Sequence, residues 1–146
     1  MRVLLDTCVL SELQKTNGLV SVHDFVKALP VNNIFISAIS LGEIAKGIAL
    51  LTEGNRKRGL LLWLNGLQAG YEQNIINIDT NISCIWGEIT AKAQQKGRQI
   101  SAGDGLIAAI ALHHGLHVIT RNVKDFEPTG ALIINPWGDG NQGVSQ

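Results

Sequence analysis

A short apolar run that ends at a carboxylate constrains the possible fold more than any other stretch of the sequence. Val3, Leu4 and Leu5 form the run, and Asp6 follows directly. Three residues are too few for a helix, and a run that is hydrophobic on both faces is typical of a strand inside a parallel sheet. Because the carboxyl ends of such strands face the ligand crevice, Asp6 is placed for chemistry. The alternative is that Asp6 or Thr7 caps a following helix, which this stretch alone favours.

Similar short apolar runs recur along the chain and alternate with helical patterns. The runs predict further strands at residues 34–36, 75–78, 118–120 and 132–134. The intervals predict helices at residues 9–14, 20–29, 38–51, 56–68, 80–96 and 101–114. This alternation indicates an α/β fold around a mostly parallel sheet.

The bulk properties predict one domain in a reducing compartment. Residues 1–137 make up the predicted domain, and the Gly-, Asn- and Gln-rich residues 138–146 are expected to form a flexible tail. Twelve basic and twelve acidic residues cancel, so binding to nucleic acid would need a local patch. Cys8 and Cys84 lie in predicted buried elements, as small apolar fillers do. No stretch is long enough to span a membrane and no signal peptide is expected, which predicts a cytoplasmic protein.

Three carboxylates lie where a strand end or a helix could point them inward. Asp6 is the first, and Glu43 is the second, on the apolar side of the helix at 38–51. An equally good interpretation is that Glu43 lies at the border of the buried face and extends to water. Asp104 opens another helix, where it also fits a capping box with Ser101. Asp79 precedes a long amphipathic helix, and a plain N-cap is the better interpretation there.

The joint order of these motifs resembles that of a PIN domain. The motifs are Leu4-Leu5-Asp6-Thr7, Ile36-Ser37-Ala38 followed by Glu43, the segment around Asp104, and Thr120-Arg121-Asn122 followed by Asp125-Phe126. Within the family, the chain is similar to the VapC-type toxins of bacterial toxin–antitoxin pairs. It resembles most the FitB-like branch, which also ends in a motif like Asn135-Pro136-Trp137. The resemblance spans residues 1–137 and implies a PIN-like three-layer α/β/α fold with a five-stranded sheet.

The resemblance implies an endoribonuclease that uses Mg²⁺ or Mn²⁺. Carried over residue by residue, Asp6, Glu43 and Asp104 match the family's three most constant acids, the catalytic and metal-binding residues. At the fourth acidic position this chain has Asn122, with Asp125 three residues later. Asn122 offers a carbonyl oxygen but no charge, so either Asn122 or Asp125 completes the metal site. Cys8 stands where the family usually has Asn, so the hydrogen bonding near Asp6 must differ.

Elementary chemistry supports this reaction independently of the resemblance. Phosphodiester hydrolysis needs a nucleophilic water and a stabilised leaving oxygen, and hard cations held by carboxylates supply both. Acids crowded together raise each other's pKa, which a divalent cation relieves. Three hydroxyl residues near the strand ends are candidates to orient the acids or water, namely Thr7, Ser37 and Thr120. Thr120 is slightly better explained as the polar residue that ends its strand than as a residue that orients the acids or water. Three cations near the expected pocket are candidates for contact with RNA phosphates, namely Lys46, Arg121 and Lys124.

Two other functions compete with this hypothesis. A receiver-type phosphoacceptor has a similar α/β fold, but it needs paired acids after the first strand and a lysine after a late strand. A catalytically weakened PIN fold that only binds RNA or a partner is the second alternative, and Asn122 is its sole argument. The absence of a Gly-rich phosphate-binding loop disfavours nucleotide-binding enzymes.

The predicted helices at 38–51 and 56–68 carry more apolar residues than one core-facing stripe needs. Five consecutive apolar residues from Leu60 to Leu64 cover every side of a helix. This surplus predicts a partner surface and, with the resemblance, a homodimer. The alternative is that the helix at 80–96 covers it. The resemblance also implies a VapB-like antitoxin, which would place an arginine among the acids.

Overall fold

The computed structural model describes residues 1–138, and residues 139–146, which include most of the predicted tail, lie outside the described residues. The strands are β1 (Val3–Leu5), β2 (Ile34–Ser37), β3 (Ile75–Ile76), β4 (His117–Ile119) and β5 (Ile133–Ile134). The α-helices are α1 (Thr7–Gln14), α2 (Val20–Lys27), α3 (Ala38–Ala49), α4 (Asn55–Gly70), α5 (Thr80–Gln95), α6 (Ala102–His114) and α7 (Val123–Phe126). Single 3₁₀ turns lie at Val31–Asn33, Glu72–Asn74 and Glu127–Thr129.

The five strands form one sheet in the order β3-β2-β1-β4-β5, and every neighbouring pair is parallel. β1 lies in the centre, where Leu5 pairs with Ile36 on one side and with Ile119 on the other. Since all strands run in the same direction, the residues that follow β1, β2 and β4 meet at a single edge. The order of the strands therefore brings Asp6 next to the segment that begins at Thr120.

Alternating side chains of β1 enter two separate cores, which gives the three-layer arrangement. Val3 and Leu5 pack into the core formed with α1, α2, α3 and α4. Leu4 points to the opposite face and packs with α5, α6 and Phe126 of α7. All three side chains are fully buried, so truncating Leu4 to alanine should cost about 2–5 kcal/mol of stability. The predicted three-layer α/β/α fold is confirmed.

Helices α5 and α6 approach closely at a glycine. A Cβ atom added to Gly105 would lie 2.8 Å from Cδ1 of Trp86, so only glycine lets this indole pack against the backbone of α6. α5 therefore belongs to the second core, whereas α4 packs on α3 in the first. The interpretation that the helix at 80–96 covers α3 and α4 is wrong, because the sheet separates the two layers.

The sequence located the elements within a few residues, with three differences. Residues 123–126 form a short helix that was not predicted, and β3 ends at Ile76 because Asn77 and Ile78 have left the sheet. Cys84 is exposed, not a buried filler, because it lies on the outer side of α5. Within residues 1–138, no helix is long and apolar enough to cross a membrane.

Candidate active site

Asp6 is fixed at the carboxyl end of the central strand by hydrogen bonds to both carboxylate oxygens. Its Oδ1 accepts a 2.8 Å bond from the backbone N–H of Thr7, and its Oδ2 accepts a 2.8 Å bond from the Thr120 hydroxyl. The Cys8 thiol lies 3.5 Å from the same Oδ2 as a weak third donor. Asp6 is thus the N-cap of α1 and also a strand-end acid, so the two interpretations of this residue are compatible.

Burial raises the pKa of Asp6 above its ordinary value, and the charge of Glu43 adds to this effect. Hydrogen bonds from Thr120, Thr7 and Cys8 act in the opposite direction because they stabilise the ionised form. Burial, followed by the charge of Asp6, raises the pKa of the Cys8 thiol to about 11. The thiol is therefore protonated at neutral pH and acts as a weak donor to Asp6.

Glu43 reaches the same edge from α3. The hydroxyl of Thr7 donates a 2.6 Å hydrogen bond to its Oε1, which links Glu43 to the residue whose backbone N–H binds Asp6. Its Oε2 lies 3.4 Å from the position of a Cβ added to Gly103, at the start of α6. Glu43 is exposed to solvent, yet its carboxylate lies between the first turns of α1 and α6.

Asp104 occupies the first turn of α6 and is influenced by three other carboxylates. Its backbone N–H donates a 3.2 Å hydrogen bond to Oγ of the N-cap Ser101. Burial raises the pKa of the Asp104 carboxyl to about 6, with contributions from the charges of Asp6, Asp125 and Glu43 and an opposing hydrogen bond from Ser101. Four acids from different parts of the chain therefore share one electrostatic environment.

The acidic side chains share this environment without converging on a single point. Among residues 1–138, no three carboxylate, histidine or cysteine side chains are close enough together to hold one metal ion. Charges influence each other over many ångströms, whereas metal ligands must lie about 2.0–2.6 Å from one centre. The hydrogen bond from Thr7 holds Glu43 in place. The Glu43 side chain would therefore have to rotate towards Asp104 before the two carboxylates could bind the same metal ion.

The segment after β4 places Asn122 and Asp125 differently. Asn122 precedes α7, and its backbone N–H donates a 2.9 Å hydrogen bond to the Thr120 hydroxyl, so the main chain of Asn122 helps to orient Thr120. Asp125 lies in the first turn of α7 and is exposed, but its charge contributes to the raised pKa of Asp104. Of the two residues left open by the sequence, Asp125 is the one that adds negative charge to the site.

The remaining predicted residues have distinct surroundings. Ser37 is fully buried and caps α3, since its Oγ accepts a 3.0 Å bond from Ser40 N and donates to Ser40 Oγ. The hydrogen bonds of its side chain thus serve α3 and none of them reaches the acids. Lys46, Arg121 and Lys124 are exposed, as contact with RNA requires. The Arg121 guanidinium lies 5.3 Å from the centre of the Trp137 ring, which positions this cation beside β4.

Asp79, the acid assigned to a cap, does cap a helix. Its Oδ1 accepts a 2.9 Å hydrogen bond from the N–H of Ile82 at the start of α5. Sequence reasoning named Asp125 as a candidate for the metal site but did not predict the helical turn that carries it. The available signal is the alternation of apolar and charged residues in Val123–Phe126, which is compatible with one helical turn.

Comparison with known proteins identifies the family to which this fold belongs. The family model of the PIN domain matches residues 3–130. The chain belongs to the PIN-domain family. The VapC ribonuclease Y4jK of Sinorhizobium fredii is 33% identical over 136 residues, covering 92% of this chain and 97% of the relative. The toxin FitB of Neisseria gonorrhoeae is 32% identical over 145 residues, covering 94% of this chain and 99% of the relative.

Solved structures of relatives agree with this PIN domain over almost its whole length. The crystal structure of FitAcB from Neisseria gonorrhoeae superposes with a TM-score of 0.87 at 32% identity, covering 92% of this chain and 98% of that one. A toxin–antitoxin complex from Klebsiella pneumoniae superposes with a TM-score of 0.69 at 26% identity, covering 92% and 97%. The predicted resemblance to VapC- and FitB-type proteins is confirmed.

Proposed function

We propose that this PIN domain is a divalent-metal-dependent endoribonuclease and the toxin of a VapBC-like toxin–antitoxin pair in the cytoplasm. The observation that carries the proposal is the shared environment of Asp6, Glu43, Asp104 and Asp125 at one edge of the sheet. Within residues 1–138, no cation forms a salt bridge with any of these four acids. The names of the relatives, a VapC ribonuclease and a toxin, support the same reaction class.

The donors at this edge suit Mg²⁺ or Mn²⁺. Asp6, Glu43, Asp104 and Asp125 offer carboxylate oxygens, and Asn122 offers an amide oxygen, which are the ligands that hard cations prefer. Burial, with smaller contributions from the charges of Asp6, Asp125 and Glu43, raises the pKa of Asp104, and a bound cation would stabilise its ionised form. When bound, the ion supplies Lewis acidity and lowers the pKa of a coordinated water.

The chain's own residues prepare the site for this chemistry. Thr120, Thr7 and Cys8 orient Asp6 and favour its ionised form, which is the form that binds a cation. Thr7 also keeps the Glu43 carboxylate beside the start of α6. The exposed cations Lys46, Arg121 and Lys124 would contact the phosphates on either side of the cleaved bond and offset the repulsion between RNA and the acids.

The same proposal includes two protein partners. Exposed leucines at the end of α3 and on α4 form an apolar surface, with Leu50 77%, Leu61 43% and Leu62 73% exposed. Such a surface suits a homodimer with two-fold symmetry. A VapB-like antitoxin would inhibit by placing an arginine among the acids, because a guanidinium forms bidentate hydrogen bonds with carboxylates.

Cleavage of RNA by the purified chain tests the proposal. A structured RNA and a single-stranded RNA are incubated with Mg²⁺, with Mn²⁺ or with EDTA, and the products are separated by size. We expect cleavage only with the metals, and none for Asp6→Asn, Glu43→Gln or Asp104→Asn. Asp79→Asn is the matched control, since this acid caps α5. RNA binding without cleavage under every condition would instead favour the catalytically weakened PIN fold.

A further inference from the structure

A cavity outside the acidic site lies in the layer of α5 and α6, on the other side of the sheet from α4. Its volume is about 490 Å³, and its walls come from α5, α6 and the turn Glu127–Thr129. Ile89, Leu112 and Pro128 form its apolar part, and three cations line it, namely Lys92, Lys96 and Arg98. Glu127 is the single carboxylate among its lining residues. We refer to this cavity as the basic groove.

The three cations of the basic groove outnumber Glu127, the one carboxylate among its lining residues. Lys92 lies in the last turn of α5 and Lys96, four residues later, is the C-cap residue, so both like charges lie at the same end of this helix. All three cations are exposed, and none forms a salt bridge within the part of the chain that the structure describes. Placing like charges together at a concave surface is unfavourable unless an anion binds there, so the groove fits a polyanion.

Two walls of the basic groove are continuous with segments that carry acids of the active site. Arg98 precedes Asp104 by six residues, so the two Cα atoms are at most about 22 Å apart. Glu127 follows Asp125 by two residues at the end of α7. A strand of RNA that leaves the acidic edge therefore needs to extend only a few nucleotides to reach the groove.

We infer that the basic groove binds the phosphates of the RNA strand that flanks the cleaved bond. This inference rests on the proposed ribonuclease function and specifies how the substrate is held beyond the acids. Since the chain has no net charge and the acids repel phosphate, local cations must supply the attraction. Lys92, Lys96 and Arg98 would act as point charges along the backbone, without reading the bases.

Salt-dependent RNA binding tests the basic groove. The probe is a fluorescein-labelled single-stranded RNA of about 20 nucleotides, in EDTA to prevent cleavage, and fluorescence anisotropy gives the affinity at several salt concentrations. Each phosphate contact on single-stranded nucleic acid contributes about 0.7 to the slope of log affinity against log salt. The double variant Lys92→Gln, Lys96→Gln should therefore reduce the slope by about 1.4. Lys27→Gln is the control, because Lys27 is exposed on α2 in the other layer.

Cleavage assays with two substrate lengths separate this inference from the proposed function. The double variant should cut the 20-nucleotide RNA with a higher KM and an unchanged kcat, and it should cut a tetranucleotide as the wild type does. A wild type that neither binds nor cuts RNA contradicts the proposed function. A wild type that does both, with an unchanged salt slope in the double variant, overturns the groove alone.

Discussion

The hydroxyl of Thr120 donates a 2.8 Å hydrogen bond to Oδ2 of Asp6, which lies 114 positions earlier in the chain. The bond is possible because β1 and β4 are adjacent and parallel, with Leu5 opposite Ile119. The Thr120 oxygen also accepts from the N–H of Asn122, so one buried hydroxyl connects the central acid to the segment that leads to Asp125. Thr120 therefore orients Asp6 as well as ending its strand.

Replacing Thr120 by valine should impair both stability and catalysis. Valine keeps the shape of the side chain but removes the donor to Asp6, and a hydrogen bond to a charged group contributes about 1.5–3 kcal/mol. We expect unfolding in urea to show a loss of this order at neutral pH. Since Asp6 would lose its orientation, RNA cleavage should fall about 10- to 100-fold.

A second threonine provides the matched control for Thr120→Val. The hydroxyl of Thr90 on α5 is buried and has no hydrogen-bond partner among residues 1–138, so Thr90→Val should be neutral or stabilising. Equal effects of the two substitutions on stability and cleavage would show that Thr120 does not act through Asp6.

Asp104 should make the metal-free protein less stable as the pH rises. Its pKa in the folded protein is about 6, above the ordinary value of 3.8, so the folded state binds the proton more tightly than the unfolded state. The stabilising contribution is therefore complete below about pH 4 and is lost as the pH rises through 6. In EDTA, Asp104→Asn should remove this part of the pH dependence and raise stability at pH 7 by about 1 kcal/mol, after allowance for solvent screening.

Urea unfolding between pH 4 and 7 measures this effect. The N-cap hydrogen bond from Asp104 to Ser101 uses the backbone, so the substitution preserves it. Asp24→Asn, on the exposed surface of α2, tests whether removal of any carboxylate would act in the same way. A pH dependence in Asp104→Asn identical to that of the wild type would contradict the assigned environment of this carboxyl.

Asp125 should contribute more to metal binding than Asn122 does. Asp125→Ala removes a charge that acts on Asp104, so calorimetry should show weaker Mn²⁺ binding, and cleavage should require more metal. Asn122→Asp should have the opposite effect because it adds a charge beside Thr120. Asp24→Ala serves as a distant acidic control. If neither variant changes the metal titration, the segment after β4 does not belong to the metal site.

Leu62 should be central to self-association of the chain. Its side chain is 73% exposed on α4, so Leu62→Glu should convert a dimer to a monomer in sedimentation at micromolar concentration while the fold remains intact. Leu132→Glu is the control, since Leu132 is 63% exposed beside β5. Trp63 is unsuitable as a probe because it packs against the first core. A monomeric wild type would exclude the proposed homodimer.

The sequence alone determined most elements of the fold because each of these has a local cause. The apolar run Val3–Leu5 has no polar face, so it must be buried on both sides, and Asp6 ends it. Asp79 and Ser101 are caps that the sequence places at helix starts, and the structure has both as caps. Family membership was also accessible, since it depends on the order of motifs along the chain.

Only the tertiary structure decided how the functional side chains are connected. Nothing near Thr120 in the sequence indicates Asp6 as its partner, since that hydrogen bond depends on β4 lying next to β1. The layer occupied by α5 was equally inaccessible, because its amphipathic pattern shows that one face is buried but not which face of the sheet buries it. Local propensities act over a few residues, whereas the environment of a carboxylate is set by whichever distant segments the packing brings to it.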